Sequence, residues 1–200
     1  MSAGLSVAGL ILAAGESRRM GFPKALLPYR EGTFLERLAG LFAARCSPVI
    51  VVLGAAADRI RTGGGPTGHP AATLVVNPDW ARGQTSSMQC GLRAVPPEAD
   101  GVLFTLVDHP AVRPATIDVL LAGPRATLLR VPRYNGRRGH PIWFSRDIIP
   151  EFLALPETGA ARDVVRGHAA QTEFLDVDDP GILADIDDPE AYRALIGGGA

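Results

Sequence analysis

One lysine stands among the 20 basic residues of this 200-residue chain, at position 24. Upstream of it lie Ser17, Arg18 and Arg19, and before those an apolar run gives way to Ala13, Ala14 and Gly15. Small residues let backbone amides approach a ligand closely. Amide donors, two guanidiniums and one ammonium in a single short stretch describe an anion site, most naturally for a polyphosphate. A guanidinium fork suits peripheral phosphate oxygens, whereas an ammonium is a compact point charge. A point charge fits the spot where negative charge grows on a phosphoryl group under attack, where arginine is too bulky. Taken alone, the stretch suits a surface loop with solvated cations equally well. It has neither the lysine–serine/threonine pair of a P-loop nor the three-glycine spacing of a dinucleotide fold.

Carboxylates come next. Asp108 follows the apolar run 102–107, which places it at the end of a strand. Phosphoryl and nucleotidyl transfer use Mg²⁺ held by few carboxylates, with phosphates and waters completing the octahedron. Asp108 suits that role, and equally suits capping the helix that follows. The tail 175–188 carries six aspartates. From Asp176 to Asp187 it imitates a calcium loop in part, but Pro180 breaks the pattern, Asp187 stands where glutamate is needed and no good helix precedes it. A solvated loop with an N-cap before Pro189 explains the tail as well.

Gly83 and Ser87 open a predicted helix, where an N-terminus and a hydroxyl can read a base edge, hold an anion or simply cap. Arg125, Arg130, Arg133, Arg137 and Arg138 crowd one segment beside Gly139, His140 and Pro141. Such a run suits a solvated face or an anionic substrate. His140 stands where it would orient an incoming phosphate, or it is structural. His69 and His168 lack metal spacing, and Trp80 and Trp143 read as packing. Cys46 and Cys90 give neither a disulfide framework nor a metal site.

These residues need a scaffold that gathers strand ends. Short apolar runs at 7–13, 49–53, 73–76, 102–107 and 126–131 alternate with helical patterns at 34–45, 56–61, 85–94 and 115–121. That alternation predicts crossover units and a largely parallel sheet with helices on both faces. Segment 63–70 reads as an exposed loop. Beyond Tyr134 the pattern turns irregular, with strands expected near 141–144 and 172–177 and helices near 146–155, 160–166 and from Pro189. Ligands of such sheets sit outside the carboxyl ends of the strands. The length suits one domain, residues 1–200. A formal charge of −1 gives no global pull toward nucleic acid or an anionic membrane. No run of 18 apolar residues exists, and the N-terminus lacks a basic region before its apolar stretch, so a cytoplasmic protein is expected.

The stretch "LAAGESRRMGFPKALLP" resembles the signature loop of the molybdenum cofactor cytidylyl- and guanylyltransferase family of nucleotidyltransferases. That signature reads roughly L-A-[AG]-G-x-S-x-R-M-G-x-x-K-x-L-L-P, and every fixed position is met between Leu12 and Pro28. "NPDWARGQTSSMQCGL", "FTLVDHPAV", "RRGHPIWF" and "DIDDPEAYRAL" are similar to further elements of the family. Departures are His109 where cytidylyl relatives often have glutamine, Glu157–Thr158 where Gly-Asp is usual, and Asp188 in place of threonine.

The resemblance implies an α/β, three-layer Rossmann-like nucleotidyltransferase fold with a mostly parallel mixed sheet. It implies an Mg²⁺-dependent enzyme that moves CMP from CTP to a phosphate-bearing acceptor and releases pyrophosphate. Leu12, Ala13, Ala14, Gly15, Ser17, Arg19, Lys24, Gly83, Ser87 and Asp108 would bind the nucleotide. Lys24, Arg19 and Asp108 would carry catalysis, and Asp108 with Asp187 (favoured over Asp185) would hold the metal. Arg137, Arg138, Gly139, His140 and Pro141 would bind an anionic phosphorylated acceptor of the molybdopterin type. Ala14 resembles the cytosine-using branch; guanine users tend to have glycine there. The competing expectations are a sugar-phosphate or methylerythritol-phosphate nucleotidylyltransferase, and a nucleotide-binding protein without turnover.

Overall fold

The computed structural model describes residues 5–62, 72–124 and 126–198. The expected loop at 63–70, His69 within it, and Arg125 lie outside the described residues.

The first strand, β1 (Val7–Ala13), is buried along its whole length. A strand buried on both faces must be central, and β1 lies between two parallel neighbours, β4 (Val49–Leu53) and β6 (Gly101–Leu106). Outward from β4 comes β5 (Ala72–Val76), also parallel. On the other side β9 (Ile142–Ser145) runs antiparallel to both β6 and β7 (Leu129–Tyr134), and β10 (Thr172–Asp176) closes the edge parallel to β7. The order is β10-β7-β9-β6-β1-β4-β5, with the short β8 (Arg137–Arg138) hairpinned onto β7. The sheet is therefore mixed and mostly parallel, as the sequence implies.

Side-chain alternation splits the core into two layers. Ile11 and Ala13 of β1 face the helix α1 (Phe34–Ala43), with Phe34, Leu38 and Phe42 packed on them. Leu10 and Leu12 face α3 (Gln84–Leu92) through Met88 and Leu92. The first layer also holds α2 (Ala57–Thr62) and α4 (Pro114–Leu121), and the second α5 (Ile149–Leu153) and α6 (Ala161–Gly167). Two small strands, β2 (Pro28–Tyr29) and β3 (Gly32–Thr33), lead into α1, which Thr33 and Glu36 start with a reciprocal capping box. The chain ends its described part with α7 (Pro189–Gly197), capped by Asp188.

The strand expected at 126–131 is displaced: β7 begins at Leu129 and passes through Pro132. Proline removes one ladder donor but leaves its carbonyl, which accepts from Gly139 N at 3.1 Å.

The stretch between β10 and α7 is anchored by Asp179. This carboxylate is buried and accepts from Arg113 N (2.8 Å), Thr116 Oγ1 (2.6 Å) and Gly181 N (2.9 Å). Asp179→Ala would strand three donors, and a buried donor left unsatisfied costs roughly 1–3 kcal/mol before any rehydration. We expect a loss of about 3 kcal/mol in urea unfolding; a change within the ~0.5 kcal/mol typical of surface substitutions would contradict the anchoring role.

Candidate functional site

At Ala13 the chain leaves the sheet, and the following loop ties its own ends together. Ser17 takes a positive φ of 55°, its carbonyl accepts from Met20 N and Gly21 N, and its hydroxyl accepts from Lys24 N at 3.1 Å. The loop thus fixes where Lys24 enters the short 3-10 turn Lys24–Leu26. Across the sheet, Leu12 pairs in register with Leu106, so Asp108 comes level with Ala14. The closing stretch is clipped to the same strand end, because Ile186 N donates to Asp108 O at 3.0 Å. Asp185 and Asp187 flank the buried Ile186 at that clip.

The result is a compact charge cluster. Lys24 Nζ lies 3.1 Å from Asp108 Oδ2 and 2.5 Å from Asp187 Oδ1, and Arg19 donates to the other oxygen of Asp187. Burial by itself pulls Lys24 down, but the charges and hydrogen bonds of Asp108 and Asp187 prevail and hold it above its ordinary value. It is an ammonium at any physiological pH. The Lys24 hydrogen bond, with help from Arg19, pushes Asp187 below the usual carboxylate range. Asp185 moves the opposite way, raised by burial and by the charges of Asp108 and Asp187.

This cluster lies in a cavity of about 410 Å³, a size typical of small-molecule sites. Leu12, Ala13, Ala14, Gly15, Ser17, Arg19, Lys24, Gly83, Ser87, Asp108 and Asp187 all line it, so every residue expected at the nucleotide or the metal reaches one space. Gly83 caps α3 with a φ of +105°, which only glycine adopts without strain. Ser87 is buried, and Asn77 Nδ2 donates to both Ser86 Oγ and Ser87 Oγ at 3.0 Å. That bond fixes the Ser87 oxygen. Trp80, read from the sequence as packing, also lines the cavity. Nothing in its local sequence separates a packing tryptophan from a wall.

The donors suit a divalent cation. Asp108 Oδ1 is buried without a hydrogen-bond partner, and it faces His109 Nε2 at 3.8 Å. One ligand atom each from Asp108, His109 and Asp185 lie within 4.8 Å of one another. An orphaned carboxylate oxygen in such surroundings is what a bound cation would satisfy.

A second cavity, of about 460 Å³, adjoins the first and shares Gln84 and Leu106 with it. Its floor is apolar, with Met88, Phe104, Val131 and Ile142, and its cations are Arg138, Arg162 and Arg166. Of the residues expected at an acceptor, Arg138, Gly139 and His140 line it, while Arg137 is exposed and Pro141 buried, both off its wall. Gly139 also has a packing reason: a Cβ there would come within 2.2 Å of Ile182 O. His140 stacks against His109 at 4.9 Å, and burial drives it down to about 4. His109 is likewise lowered by burial. His140 therefore meets any substrate at neutral pH as an uncharged imidazole. Arg162 and Arg166 escaped notice in the sequence; they are one turn apart on α6, where a short helix gives no other signal.

The arginine crowd divides. Arg130 is fully buried over Trp143, 4.1 Å from its ring, and donates to Leu120 O at 2.9 Å. Arg133 pairs with Asp176 at 2.7 Å. Both are structural in this fold. No helix among the described residues is long and apolar enough to cross a membrane.

Residues 9–173 match the family model of a MobA-like NTP transferase domain. The chain is 33% identical to a probable molybdenum cofactor guanylyltransferase of Mycobacterium avium, with 98% of both chains covered. It is 28% identical to the molybdenum cofactor cytidylyltransferase of Escherichia coli, covering 92% of each. It is also 32% identical to the nicotine blue oxidoreductase of Paenarthrobacter nicotinovorans, covering 94% of this chain and 96% of that one. Among solved structures, Rv0371c of Mycobacterium tuberculosis superposes with a TM-score of 0.84 at 32% identity, covering 98% of this chain and all of that one.

Proposed function

Since the chain belongs to the MobA-like NTP transferase family, we propose that it is an Mg²⁺-dependent cytidylyltransferase acting on a phosphate-bearing, molybdopterin-type acceptor. The observation that carries this is Lys24: one buried ammonium between two carboxylates, inside a cavity walled by the small-residue loop and the N-terminus of α3.

The amides of Ala13, Ala14 and Gly15 and the hydroxyl of Ser87 receive the base. Arg19, whose side chain is 67% exposed, exchanges Asp187 for the β- and γ-phosphates. Lys24 exchanges a carboxylate for the α-phosphate and stabilises the charge that develops there. Asp108 and Asp187 would hold Mg²⁺, which when bound would neutralise phosphate charge and orient the triphosphate. The acceptor lies in the second cavity, its flat apolar part on Phe104 and Met88 and its phosphate toward Arg138. An acceptor phosphate oxygen attacks the α-phosphorus of CTP, the bond to the bridging oxygen breaks, and pyrophosphate leaves with both electrons. The attacking phosphate is already ionised, so no general base is needed and positioning carries the catalysis.

The oxidoreductase among the relatives names other chemistry, but the first loop here lacks the three-glycine spacing of a dinucleotide site. Pyrophosphate release, assayed with each of the four NTPs and with molybdopterin-type, sugar-phosphate and polyol-phosphate acceptors, tests the reading. Failure to release pyrophosphate with any pairing of these nucleotides and acceptors would overturn it.

Base choice rests on Ala14. Ala14 lines the cavity and is buried, and its carbonyl accepts from Ala55 N at 3.1 Å, which fixes its backbone there. A methyl there narrows the space for a purine. Discrimination by size is limited, about 1–3 kcal/mol or roughly 10–200-fold. We expect CTP to exceed GTP in kcat/KM by a factor in that range, and Ala14→Gly to shrink the ratio without inverting it. A wild type that prefers GTP defeats the cytidylyl assignment but not the phosphate assignments.

A further inference from the structure

Asp108 has two sides. Oδ2 faces Lys24 and, through it, Asp187. Oδ1 faces the opposite group: it is buried, has no hydrogen-bond partner, and stands 3.8 Å from His109 Nε2. His109 is itself 7% exposed, and its Nδ1 is buried and unpartnered. The exposed carboxylate of Asp185 completes the group, with one ligand atom from each of the three residues within 4.8 Å of the others. Asp187 does not belong to it, since its oxygens are held by Lys24 and Arg19. The ring of His109 rests on His140, which lines the second cavity, so His140 separates this side of Asp108 from that cavity by one ring contact.

We propose that Asp108 Oδ1, the His109 imidazole and the Asp185 carboxylate form a second cation site, distinct from the Lys24 side of Asp108, that takes a first-row transition dication in preference to Mg²⁺. The inference rests on the reading of Asp108 as a metal carboxylate and adds a ligand set to it. Mg²⁺ demands oxygen ligands in a near-ideal octahedron and gives up water reluctantly. An imidazole nitrogen beside two carboxylates works against it and favours ions that accept nitrogen. Asp108 would then offer Oδ1 to this site while Oδ2 stays on the Lys24 side. The site would place positive charge beside the acceptor phosphate, where His140 supplies none.

Mn²⁺ is the probe, titrated into the full chain without nucleotide and followed by pulsed electron paramagnetic resonance. The expected result is one bound Mn²⁺ with nitrogen coupling, which an equal concentration of Mg²⁺ does not displace. His109→Gln should abolish the coupling. It should weaken Mn²⁺ by at least the roughly 10–100-fold that loss of a mere supporting partner costs a metal site. Asp185→Asn should weaken Mn²⁺ to a similar degree, and because Asp185 is exposed this variant keeps its fold even if His109→Gln does not. A wild-type signal without nitrogen coupling, coupling that survives His109→Gln, or displacement by equal Mg²⁺ would each overturn the proposal. Nucleotidyl transfer is not part of this measurement. Absence of pyrophosphate release would sink the proposed function and leave the cation site standing, and the reverse result would do the opposite.

Discussion

Lys24→Arg lowers turnover with CTP by about 10²-fold or more while nucleotide affinity changes far less; this is the expected result for a charge that acts mainly in the transition state. Arginine keeps the positive charge, so ground-state attraction for the triphosphate survives. What it cannot keep is position. The lysine side chain is 11% exposed and its Nζ already touches Asp108 at 3.1 Å and Asp187 at 2.5 Å. A planar guanidinium needs a wider slot and spreads its charge over three nitrogens. It would settle as a fork on the two carboxylates and hold them, instead of releasing to the α-phosphate. The check pairs a single-turnover rate with a calorimetric Kd for CTP, alongside a melting temperature to establish that the variant is folded. Turnover close to wild type would remove the role assigned to the ammonium, and with it the reason a chain otherwise written in arginine keeps one lysine.

Much of this geometry is legible in the sequence because it is local. The run 7–13 is apolar throughout, which only a strand covered on both faces requires, and it becomes β1 with no shift of boundary. A glycine-and-alanine break after such a strand, followed by cations, can only be a loop at the sheet edge, and the loop closes through Ser17 and Lys24 within itself. Asp108 is legible for the same reason, as the first charge after an apolar strand. Other features were present but misread. Asn135–Gly136, with φ of 49° and 75°, is the pair that a tight hairpin demands, and it turns β7 into β8 where the alternation of apolar runs is irregular. Arg130 could not be told from its exposed neighbours, because its burial depends on Trp143 in a strand that pairs with its own. The same limit separates Asp185 from Asp187. Both flank Ile186 and both are aspartates; only the three-dimensional positions of Lys24, Arg19 and His109 give them different partners.

Asp108→Asn is the harsher change, because Asp108 stands where every proposed role meets. The substitution is isosteric, and the amide oxygen can still accept from Lys24, so the fold and the Lys24 position should persist. The charge does not. A neutral amide is a poor ligand for Mg²⁺, and metal assistance of this kind contributes several kcal/mol, about 1.4 kcal/mol for each tenfold, so turnover should fall by roughly 10³-fold. Loss of one of its two carboxylate charges also leaves Lys24 ion-paired with Asp187 alone. Calorimetry separates the effects: wild type should bind CTP more tightly with Mg²⁺ than without, and in Asp108→Asn the two titrations should coincide. Metal dependence that survives the substitution would place the ion elsewhere, with Asp187 the next carboxylate to replace. If Asp185→Asn then proves harsher than Asp187→Asn for CTP binding, the His109 side of Asp108 holds the nucleotide's metal as well, and the division of Asp108 into two cation-facing oxygens would have to be redrawn around Oδ1 alone.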